Sequence, residues 1–407
     1  MDGELLDRLR GVYRDLHAHP ELSFAEHRTA QITAHWLASA GFEVTEGIGG
    51  TGVAGVLRNG DGPTVLLRAD MDALPVQEAT GLAYASQTDG VMHACGHDMH
   101  VTCLLGAASE LAAARADWSG TVVAVGQPAE EVVGGAAAMV ADRLFERVPR
   151  PAVVLGQHVA PIPAGTLGLR AGPTFAAADS LRITLYGAGG HGSRPEATVD
   201  SVVLAAATVM RLQGIVAREV AATDLAVVTI GALRAGTKGN IIPDDAELLL
   251  SVRTFDPEVR TKVLRAIERI VRAEAQASGA AREPKVELLE SAPALVNDPA
   301  GVDRTLGALA TVVGAERIFD PGAVTGSEDV GVLAEAAGAP LVFWLLGGAD
   351  PAVFAGASSR ADIARITADQ PSNHSPLYAP VIDPTIGIGV ATLSAAARNW
   401  LGAGARS

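Results

Sequence analysis

The stretch Val91–Val101 constrains this chain most, because it crowds metal-ligand residue types into eleven positions. It contains Cys95 and His97, although the chain has only two cysteines and ten histidines. Gly96 between them allows a tight backbone bend, so the thiolate and the imidazole can converge on one point. Apolar residues recur at steps of three and four from Met99 onward, which predicts a helix that starts just after the cluster.

Cys95 and His97 admit two interpretations when they are taken alone. A mixed thiolate and imidazole pair suits Zn²⁺ or a neighbouring transition metal. The structural alternative is a buried cysteine near surface histidines. The rest of the chain decides between them.

Three predicted strands are each followed by acidic or imidazole side chains. They are Val65–Arg68 followed by Asp70 and Asp72, Thr121–Val125 followed by Glu130 and Glu131, and Ala152–Leu155 followed by His158. Ligands of parallel α/β sheets bind beyond the carboxyl ends of the strands. Each segment alone also fits an acidic turn or a solvated pair of glutamates. Because such groups recur at successive strand ends, the sequence predicts a metal centre there.

The chain is predicted to be an α/β protein with a smaller domain inserted into the first. At 407 residues it is too long for one ordinary core. Between Asp179 and Ser291 the predicted elements follow the order β-α-β-β-α-β, which is the ferredoxin-like pattern. We therefore predict a first domain in two parts, 1–178 and 293–407, with an inserted domain at 179–292.

Two helices are predicted before the first strand. Apolar spacing gives an opening helix that ends near His19-Pro20, and a second helix from about Ser23 to Gly41. Glu26 follows Ser23 by three residues, so the second helix is predicted to begin with a capping box.

Composition excludes several classes of partner and of location. The formal charge of −15 argues against nucleic acid and against anionic membranes, because both would be repelled. No uninterrupted apolar run approaches the length of about 18 residues that a membrane span needs. The N-terminus lacks an apolar signal core, and two cysteines cannot form a disulfide framework. We therefore expect a cytoplasmic protein.

Taken together, these residues resemble the dinuclear-metal aminoacylase and carboxypeptidase-type amidohydrolases, in the branch of hippurate hydrolases and indole-acetyl-amino-acid hydrolases. The likeness covers almost the whole chain, from His17-Ala-His-Pro-Glu-Leu22 to His374-Ser-Pro376. Its most specific segments are Arg68–Pro75 (RADMDALP), His93–Asp98 (HACGHD), Gln127–Glu131 (QPAEE), Gly190–Ser193 (GHGS) and Gly239–Pro243 (GNIIP).

The resemblance implies a zinc-exopeptidase-like catalytic domain, whose mixed sheet is flanked by helices, and an inserted lid or dimerisation domain. It also implies two divalent metal ions per chain, of Zn, Mn or Co. Their implied ligands are Cys95, His97, Glu131, His158 and His374. On its own, His374 would be read as an ordinary surface histidine.

The same resemblance implies the roles of five further residues. Glu130 would be the general base, and Asp72 would hold a ligating imidazole or tune that base. In the inserted domain, His191 and Asn240 would contact the substrate or its oxyanion, and Arg253 would bind the substrate carboxylate. The chain departs from many relatives at two places. In many relatives a histidine follows the proline, whereas here Glu196 follows Pro195. An aromatic or small apolar residue often precedes the last ligand histidine, whereas here Asn373 precedes His374. We expect neither departure to touch the catalytic groups, and both to affect the substrate pocket.

The implied activity is metal-dependent hydrolysis of N-acyl amino acids, or related amides, to a carboxylic acid and an amino acid. The alternatives are a dipeptidase or aminopeptidase with the same metal site, and a non-catalytic ligand-binding protein on this fold. The expected partners are a small-molecule N-acyl amino acid and further copies of the chain in a homodimer or larger homo-oligomer.

Overall fold

The strands predicted around the ligand-type residues lie side by side in one mixed sheet. The computed structural model describes residues 1–404, which divide into two compact units. The first unit comprises Met1–Gly172, Val296–Gly322 and the chain from Asp329 onward. The second comprises Pro173–Leu295 and Ala323–Glu328.

The bounds of the elements are as follows. In chain order the helices are α1 (Gly3–Ala18), α2 (His27–Ser39), α3 (His97–Ala113), α4 (Gly135–Ala141), α5 (Leu144–Arg147), α6 (Ser201–Leu212), α7 (Gly214–Arg218), α8 (Pro257–Ala277), α9 (Pro299–Val313), α10 (Val330–Ala337), α11 (Arg360–Asp369) and α12 (Thr385–Trp400). The strands are β1 (Glu43–Ile48), β2 (Gly52–Asn59), β3 (Thr64–Asp70), β4 (Trp118–Gln127), β5 (Val153–Pro163), β6 (Leu167–Gly168), β7 (Gly172–Phe175), β8 (Ala177–Tyr186), β9 (Gly190–His191), β10 (Ala226–Ala235), β11 (Ile241–Ile242), β12 (Asp245–Thr254), β13 (Lys285–Ala292), β14 (Leu295–Asn297), β15 (Ile318–Phe319), β16 (Leu341–Ala349) and β17 (Gly402–Ala403).

The sheet of the first unit has the strand order β1-β2-β4-β3-β5-β16-β6-β15, and β17 pairs with β4. Strand β3 runs parallel to β4 and β5, and β5 runs parallel to β16. The pairs β1–β2, β2–β4 and β6–β16 are antiparallel. The predicted α/β class, a mixed sheet flanked by helices, is confirmed.

The register of the parallel strands brings the predicted strand ends to one level. Asp70 at the end of β3 pairs with Gln127 at the end of β4. On the other side of β3, Arg68 pairs with Gly156 of β5. Since both strands advance in the same direction, His158 lies beside Asp70, two residues further along. The site is therefore built on the rigid centre of the sheet.

Helix α3 is buried over its first three turns, including the polar side chains at its start. Residues 97–108 are all buried, as expected for a helix inside a core. Gly106 allows α12 to pack closely, because a β-carbon there would lie 2.3 Å from a methyl group of Val390. A helix fixed in this way holds the ligand-type residues of its first turn in place.

The second unit contains an antiparallel sheet with the strand order β10-β12-β8-β13. Along β8 buried and half-buried residues alternate, and the buried ones pack in a core with α6 and α8. The order of elements is the β-α-β-β-α-β order that the sequence predicts. The unit begins at Pro173 and ends at Leu295, near the predicted bounds of 179 and 292, and it adds Ala323–Glu328.

Within residues 1–404, one stretch has the length and composition of a membrane span, namely Ser201–Arg218. It covers α6 and α7. Leu204, Leu212 and Ile215 of this stretch are buried in the core of the second unit. Other apolar residues of the stretch, among them Val203 and Met210, are exposed.

Two local predictions are wrong. Glu26 does not complete a capping box with Ser23, because α2 begins at His27 and the Glu26 side chain makes no cap at this helix. His158 does not follow the end of a strand, because β5 continues to Pro163. Neither error was visible in the pattern of apolar residues, which only marks where the buried part of a strand lies.

Candidate metal centre

The five predicted metal ligands all lie in the first unit, and the structure brings their side chains together. The Sγ atom of Cys95 lies 3.5 Å from Nε2 of His158. Oε2 of Glu131 lies 3.3 Å from Nε2 of His374. Nε2 of His97 lies 3.7 Å from Oε1 of Glu131. Residues far apart in the sequence thus share one cluster of soft and hard ligand atoms.

The cluster contains two groups of three side chains whose ligand atoms lie within 4.8 Å of one another. One is Cys95, His97 and His158, and the other is Cys95, Glu131 and His374. Cys95 belongs to both. Nε2 of His97 and Oε1 of Glu131 are buried, and neither has a hydrogen-bond partner among residues 1–404. Since buried polar atoms are rarely left unpaired, these residues fit a divalent metal centre.

A left-handed glycine and a left-handed histidine set the backbone at this site. Gly96 has φ of 82° and directly precedes α3, so His97 is the first residue of the helix. A β-carbon at Gly96 would lie 2.4 Å from a methyl group of Val159. His374 has φ of 72°, and its N–H donates to the carbonyl of Ala94 at 2.8 Å. Glycine adopts a positive φ readily, whereas for a histidine this conformation is costly and is often found at functional sites.

Asp72 connects three of the predicted site residues. Its Oδ1 lies 3.2 Å from Nδ1 of His97, which leaves Nε2 of that ring facing the cluster. Oδ1 also accepts the N–H of Glu130 at 3.1 Å, and Oδ2 accepts the N–H of Glu131 at 3.0 Å and the hydroxyl of Ser23 at 2.7 Å. Burial opposes ionisation, but the hydrogen bond from His97 lowers the pKa of Asp72 below its ordinary value. Asp72 thus holds the ring of His97 and the backbone N–H groups of both glutamates, and its predicted role stays a prediction.

Glu130 lies beside the two groups and is almost fully buried. Its Oε2 lies 3.9 Å from Nε2 of His97. The loop that carries it folds back on itself, because the carbonyl of Ala129 accepts the N–H groups of Gly134 and Gly135. Ala129 and Val133 have positive φ angles of 50° and 53°. The loop is therefore strained and closely fixed.

A buried relay of Arg68, Asp70 and His100 lies behind the cluster, and the sequence motifs gave His100 no role. Nδ1 of His100 lies 2.6 Å from Oδ1 of Asp70, and Nε2 of His100 accepts the N–H of Val159 at 2.7 Å. Arg68 donates to Oδ2 of Asp70 at 2.9 Å. The relay thus joins β3, α3 and β5 next to His158. The spacing of His97 and His100 on one helix face was the only sequence signal for it.

A second buried pair stabilises the start of α3. Nδ1 of His17 lies 2.6 Å from Oδ2 of Asp98, and its Nε2 lies 3.3 Å from Oε1 of Glu78. Burial alone would lower the pKa of His17, but Asp98 and Glu78 outweigh it and raise that pKa to about 10. His17 begins the segment His17–Leu22 and Asp98 ends the segment His93–Asp98, but the sequence predicted no role for either residue.

The electrostatics of the cluster favour a cation. Although burial disfavours the imidazolium, the charge of Asp70 and the hydrogen bond to Asp72 raise the pKa of His97 well above its ordinary range. Burial, with a smaller effect of Glu131, raises the pKa of the Cys95 thiol to about 12. The thiolate is the form that binds metals. A bound divalent ion would therefore displace protons here.

One expectation about the sequence departures is wrong. The side-chain amide of Asn373 donates to the carbonyl oxygens of Cys95 and Val159, each at 3.2 Å, and lies 3.7 Å from Sγ of Cys95. This departure therefore touches a proposed metal ligand, which we did not expect. Nothing in the sequence indicated it, because the contact joins residues 278 positions apart.

His191 and Asn240 lie together in the second unit. Strands β9 and β11 pair so that His191 faces Ile241, and the N–H of Gly192 donates to the carbonyl of Asn240 at 2.9 Å. Nδ1 of His191 accepts the N–H of Ser193 at 3.1 Å. The neutral ring therefore carries its proton on Nε2, where it can donate a hydrogen bond.

Arg253 lies on β12 in the second unit. Its Nη1 donates to the hydroxyl of Ser327 at 3.0 Å. Ser327 belongs to the separate segment of the same unit, Ala323–Glu328. Because the hydroxyl is neutral, this hydrogen bond does not neutralise the positive charge of the Arg253 guanidinium.

Comparison with known proteins matches the chain to one family. Residues 66–368 match the model for "Peptidase family M20/M25/M40". The chain is 41% identical over 339 residues to the hippurate hydrolase of Campylobacter jejuni, covering 82% of this chain and 87% of that protein. It is 38% identical over 298 residues to the N-acetylcysteine deacetylase of Bacillus subtilis, covering 72% and 76%.

A third relative and a solved structure extend this likeness. The chain is 38% identical over 335 residues to thermostable carboxypeptidase 1 of Saccharolobus solfataricus, covering 80% of this chain and 82% of that protein. The crystal structure of the Bacillus subtilis YXEP protein, described as a dinuclear metal binding peptidase from the M20 family, superposes with a TM-score of 0.78 at 30% identity. The match covers 98% of this chain and 100% of that one.

Proposed function

The chain belongs to the M20/M25/M40 peptidase family of hydrolases, and we propose that it hydrolyses the amide bond of N-acyl amino acids to a carboxylic acid and an amino acid. The observation that carries this proposal is the cluster formed by Cys95, His97, Glu131, His158 and His374 beside Glu130. Relatives named for hippurate and for N-acetylcysteine support the substrate class.

We infer that the cluster holds two divalent metal ions, as the YXEP protein is described to do. Cys95, His97 and His158 would hold one ion, and Cys95, Glu131 and His374 the other. A thiolate with imidazoles and one carboxylate suits Zn²⁺, Co²⁺ or Mn²⁺. Bound there, the ions supply Lewis acidity, which makes water a nucleophile near neutral pH and polarises a carbonyl.

Glu130 would act as the general base and then as the general acid. Its carboxylate takes the proton of the attacking water and delivers it to the nitrogen of the leaving amine. Asp72 keeps this step possible by fixing the N–H groups of both glutamates. Near-complete burial of the glutamates limits the water around the reacting atoms.

The second unit would bind the substrate. His191, with its proton on Nε2, and the amide of Asn240 can donate hydrogen bonds to a developing oxyanion. Arg253 can bind the carboxylate of the amino-acid portion with two parallel hydrogen bonds. On this proposal the unit is a lid and a dimerisation domain.

The exposed surface of the second unit supports a homodimer. Strand β10 lies at one edge of its sheet, and Val203, Met210 and Leu225 are 63%, 75% and 62% exposed. An edge strand and exposed apolar side chains on the same unit are both suited to symmetric pairing. Both cysteines are buried and free, which agrees with the proposed cytoplasmic location.

A peptidase is the second candidate, and the carboxypeptidase relative favours it. Hydrolysis of N-acyl amino acids should be compared with that of dipeptides with a free amine, each with Mn²⁺, Zn²⁺ or Co²⁺ added. We expect faster turnover of the acylated substrates. Faster cleavage of the free-amine dipeptides would replace the proposed function with a peptidase, and no cleavage of either would favour the non-catalytic alternative.

A further inference from the structure

Three consecutive backbone N–H groups around the proposed base donate to two buried carboxylates. Those of Glu130 and Glu131 donate to Asp72. The N–H of Ala129 donates to Oε1 of Glu26 at 2.8 Å. Asp72 is part of the proposed mechanism, whereas Glu26 has no role in it.

Glu26 is a buried carboxylate whose hydrogen bonds come from neutral groups. Its Oε1 also accepts the N–H of Phe24 at 2.9 Å, and its Oε2 accepts the hydroxyl of Thr51 at 2.5 Å. The side chain is 0% exposed. Burying a carboxylate is unfavourable unless donors surround it, so this arrangement needs an explanation beyond packing. Burial also raises the pKa of Glu26, which underlines its cost.

Two of the donors to Glu26 have left-handed backbones. Phe24 has φ of 61° and Ala129 has φ of 50°. Neither residue type adopts this conformation readily. The shared acceptor Oε1 holds both N–H groups in place. Because Ala129 directly precedes Glu130, its backbone conformation sets the direction in which the Glu130 side chain leaves the chain.

We propose that Glu26 is a positioning residue for Glu130. Its carboxylate holds Ala129 in the left-handed conformation and so keeps the Glu130 carboxylate at the reacting water. This inference rests on the proposed amide hydrolysis. Glu26 itself exchanges no proton with the substrate.

The geometry specifies what Glu26 must supply, namely an acceptor oxygen and not a charge. In Glu26→Gln the carbonyl oxygen can occupy the place of Oε1, and the amide can donate to the Thr51 hydroxyl. We expect this variant to retain kcat within about threefold. Glu26→Leu removes the acceptor, and we expect kcat to fall about tenfold or more, because displacements near 1 Å can cost ~10²-fold. KM and metal content should stay close to the wild-type values.

Glu21 provides a matched control. Its carboxylate accepts the N–H groups of Arg28 and Thr29, each at 2.9 Å. These contacts lie at the start of the same helix α2, and not at the N–H groups of residues 129–131 that Glu26 and Asp72 hold. We expect Glu21→Leu to lower the melting temperature while kcat stays within about twofold of wild type. An equal loss of kcat in Glu21→Leu would show that loosening α2 is sufficient, and would overturn the inference.

A double-mutant cycle separates positioning of Glu130 from a general structural role. In the Glu130→Gln background, Glu26→Leu should cost no further turnover. The same loss in both backgrounds would overturn the inference, and so would a loss of metal or a wild-type kcat in Glu26→Leu.

If Glu26→Leu does not fold, Thr51→Val takes its place. This variant removes the hydroxyl that holds Oε2 of Glu26, so the carboxylate is less firmly fixed against the N–H of Ala129. We expect a smaller loss of kcat at full metal content, and an unchanged kcat would contradict the inference. A wild-type enzyme inactive on N-acyl amino acids would instead refute the proposed function.

Discussion

At the scale of single residues, Asp70 and Asp72 orient histidines in and behind the proposed metal cluster. Asp72 fixes the ring of His97 and two backbone N–H groups, and Asp70 fixes His100. Such outer partners commonly set the tautomer and basicity of metal ligands. The chemistry of the cluster therefore depends on residues that lie behind it.

Cys95 is the one ligand that both groups of three share. We expect Cys95→Ala to lower metal content and activity together, as measured by elemental analysis and by turnover. Cys103→Ala is the matched control, because Cys103 is also free and buried but belongs to neither group. Full metal occupancy in Cys95→Ala would contradict the assignment.

Substitutions of Glu130 and Glu131 should have different effects on metal content and turnover. Glu130→Gln removes a proton carrier, so we expect normal metal content and a loss of turnover of roughly 10²–10⁴-fold. Glu131→Gln removes a ligand, so metal content should fall first. Metal analysis beside kcat distinguishes the two, and the reverse pattern would exchange the roles.

His17 gives the stability of the fold a dependence on pH. Its pKa is raised to about 10 in the folded protein, above the ordinary value of 6.5, so the folded state binds the proton more tightly. The stabilisation is fully present below pH 6.5 and is lost as the pH rises through about 10. In urea unfolding between pH 7 and pH 10, we expect a steeper loss of stability for wild type than for His17→Gln. The half-buried His19 is the control, and His19→Gln should leave the slope of wild type unchanged. Equal slopes for wild type and His17→Gln would refute the prediction.

The sequence predicts the candidate metal ligands, but not the residues that hold them in place. Cys95 and His97 are visible because their residue types are rare and close together. Glu26 was misread as a helix cap, because a carboxylate three residues after a serine has the same pattern whether it faces the helix or the core. Its partner Ala129 lies 103 positions away. The contact of Asn373 with Cys95 was hidden for the same reason.

At the scale of elements, the parallel pairing of β3 with β4 and β5 explains why the predicted strand ends meet. Apolar runs in the sequence located these strands. The end of β5 was missed, because its polar residues after Leu155 lie inside the sheet. Register and strand order depend on long-range pairing that one sequence does not contain.

Strand β12 places Arg253 among its half-buried residues, in the alternating pattern of a sheet with one covered face. If Arg253 binds the substrate carboxylate, Arg253→Ala should weaken hydrolysis of an N-acyl amino acid by ~1.5–3 kcal/mol in kcat/KM. Its amide-capped analogue should be affected much less. Equal losses on both substrates would mean that Arg253 is structural, through its bond to Ser327.

At the scale of the whole molecule, the proposed reaction uses residues from two compact units. The proposed metal ligands belong to the first unit, and the proposed substrate-binding residues His191, Asn240 and Arg253 belong to the second. The net charge of −15 keeps copies of the chain apart at long range. A homodimer therefore needs a local apolar surface, and we propose that the exposed apolar side chains of the second unit provide one.

We predict that His191 contributes to the active site of a partner subunit. His191 is exposed on the short strand β9, and pairing through the second unit would present it to another copy. The variants His191→Ala and Glu130→Gln, each inactive, would be unfolded and refolded together. A random mixture contains half mixed dimers, and in each of these one site has both wild-type groups if His191 acts in trans. About a quarter of the wild-type activity should then return, by counting sites in a two-fold dimer. If His191 acts within its own chain, every site lacks one group and the mixture stays inactive. A silent mixture, with exchange of subunits shown by a tagged copy, would exclude the trans arrangement.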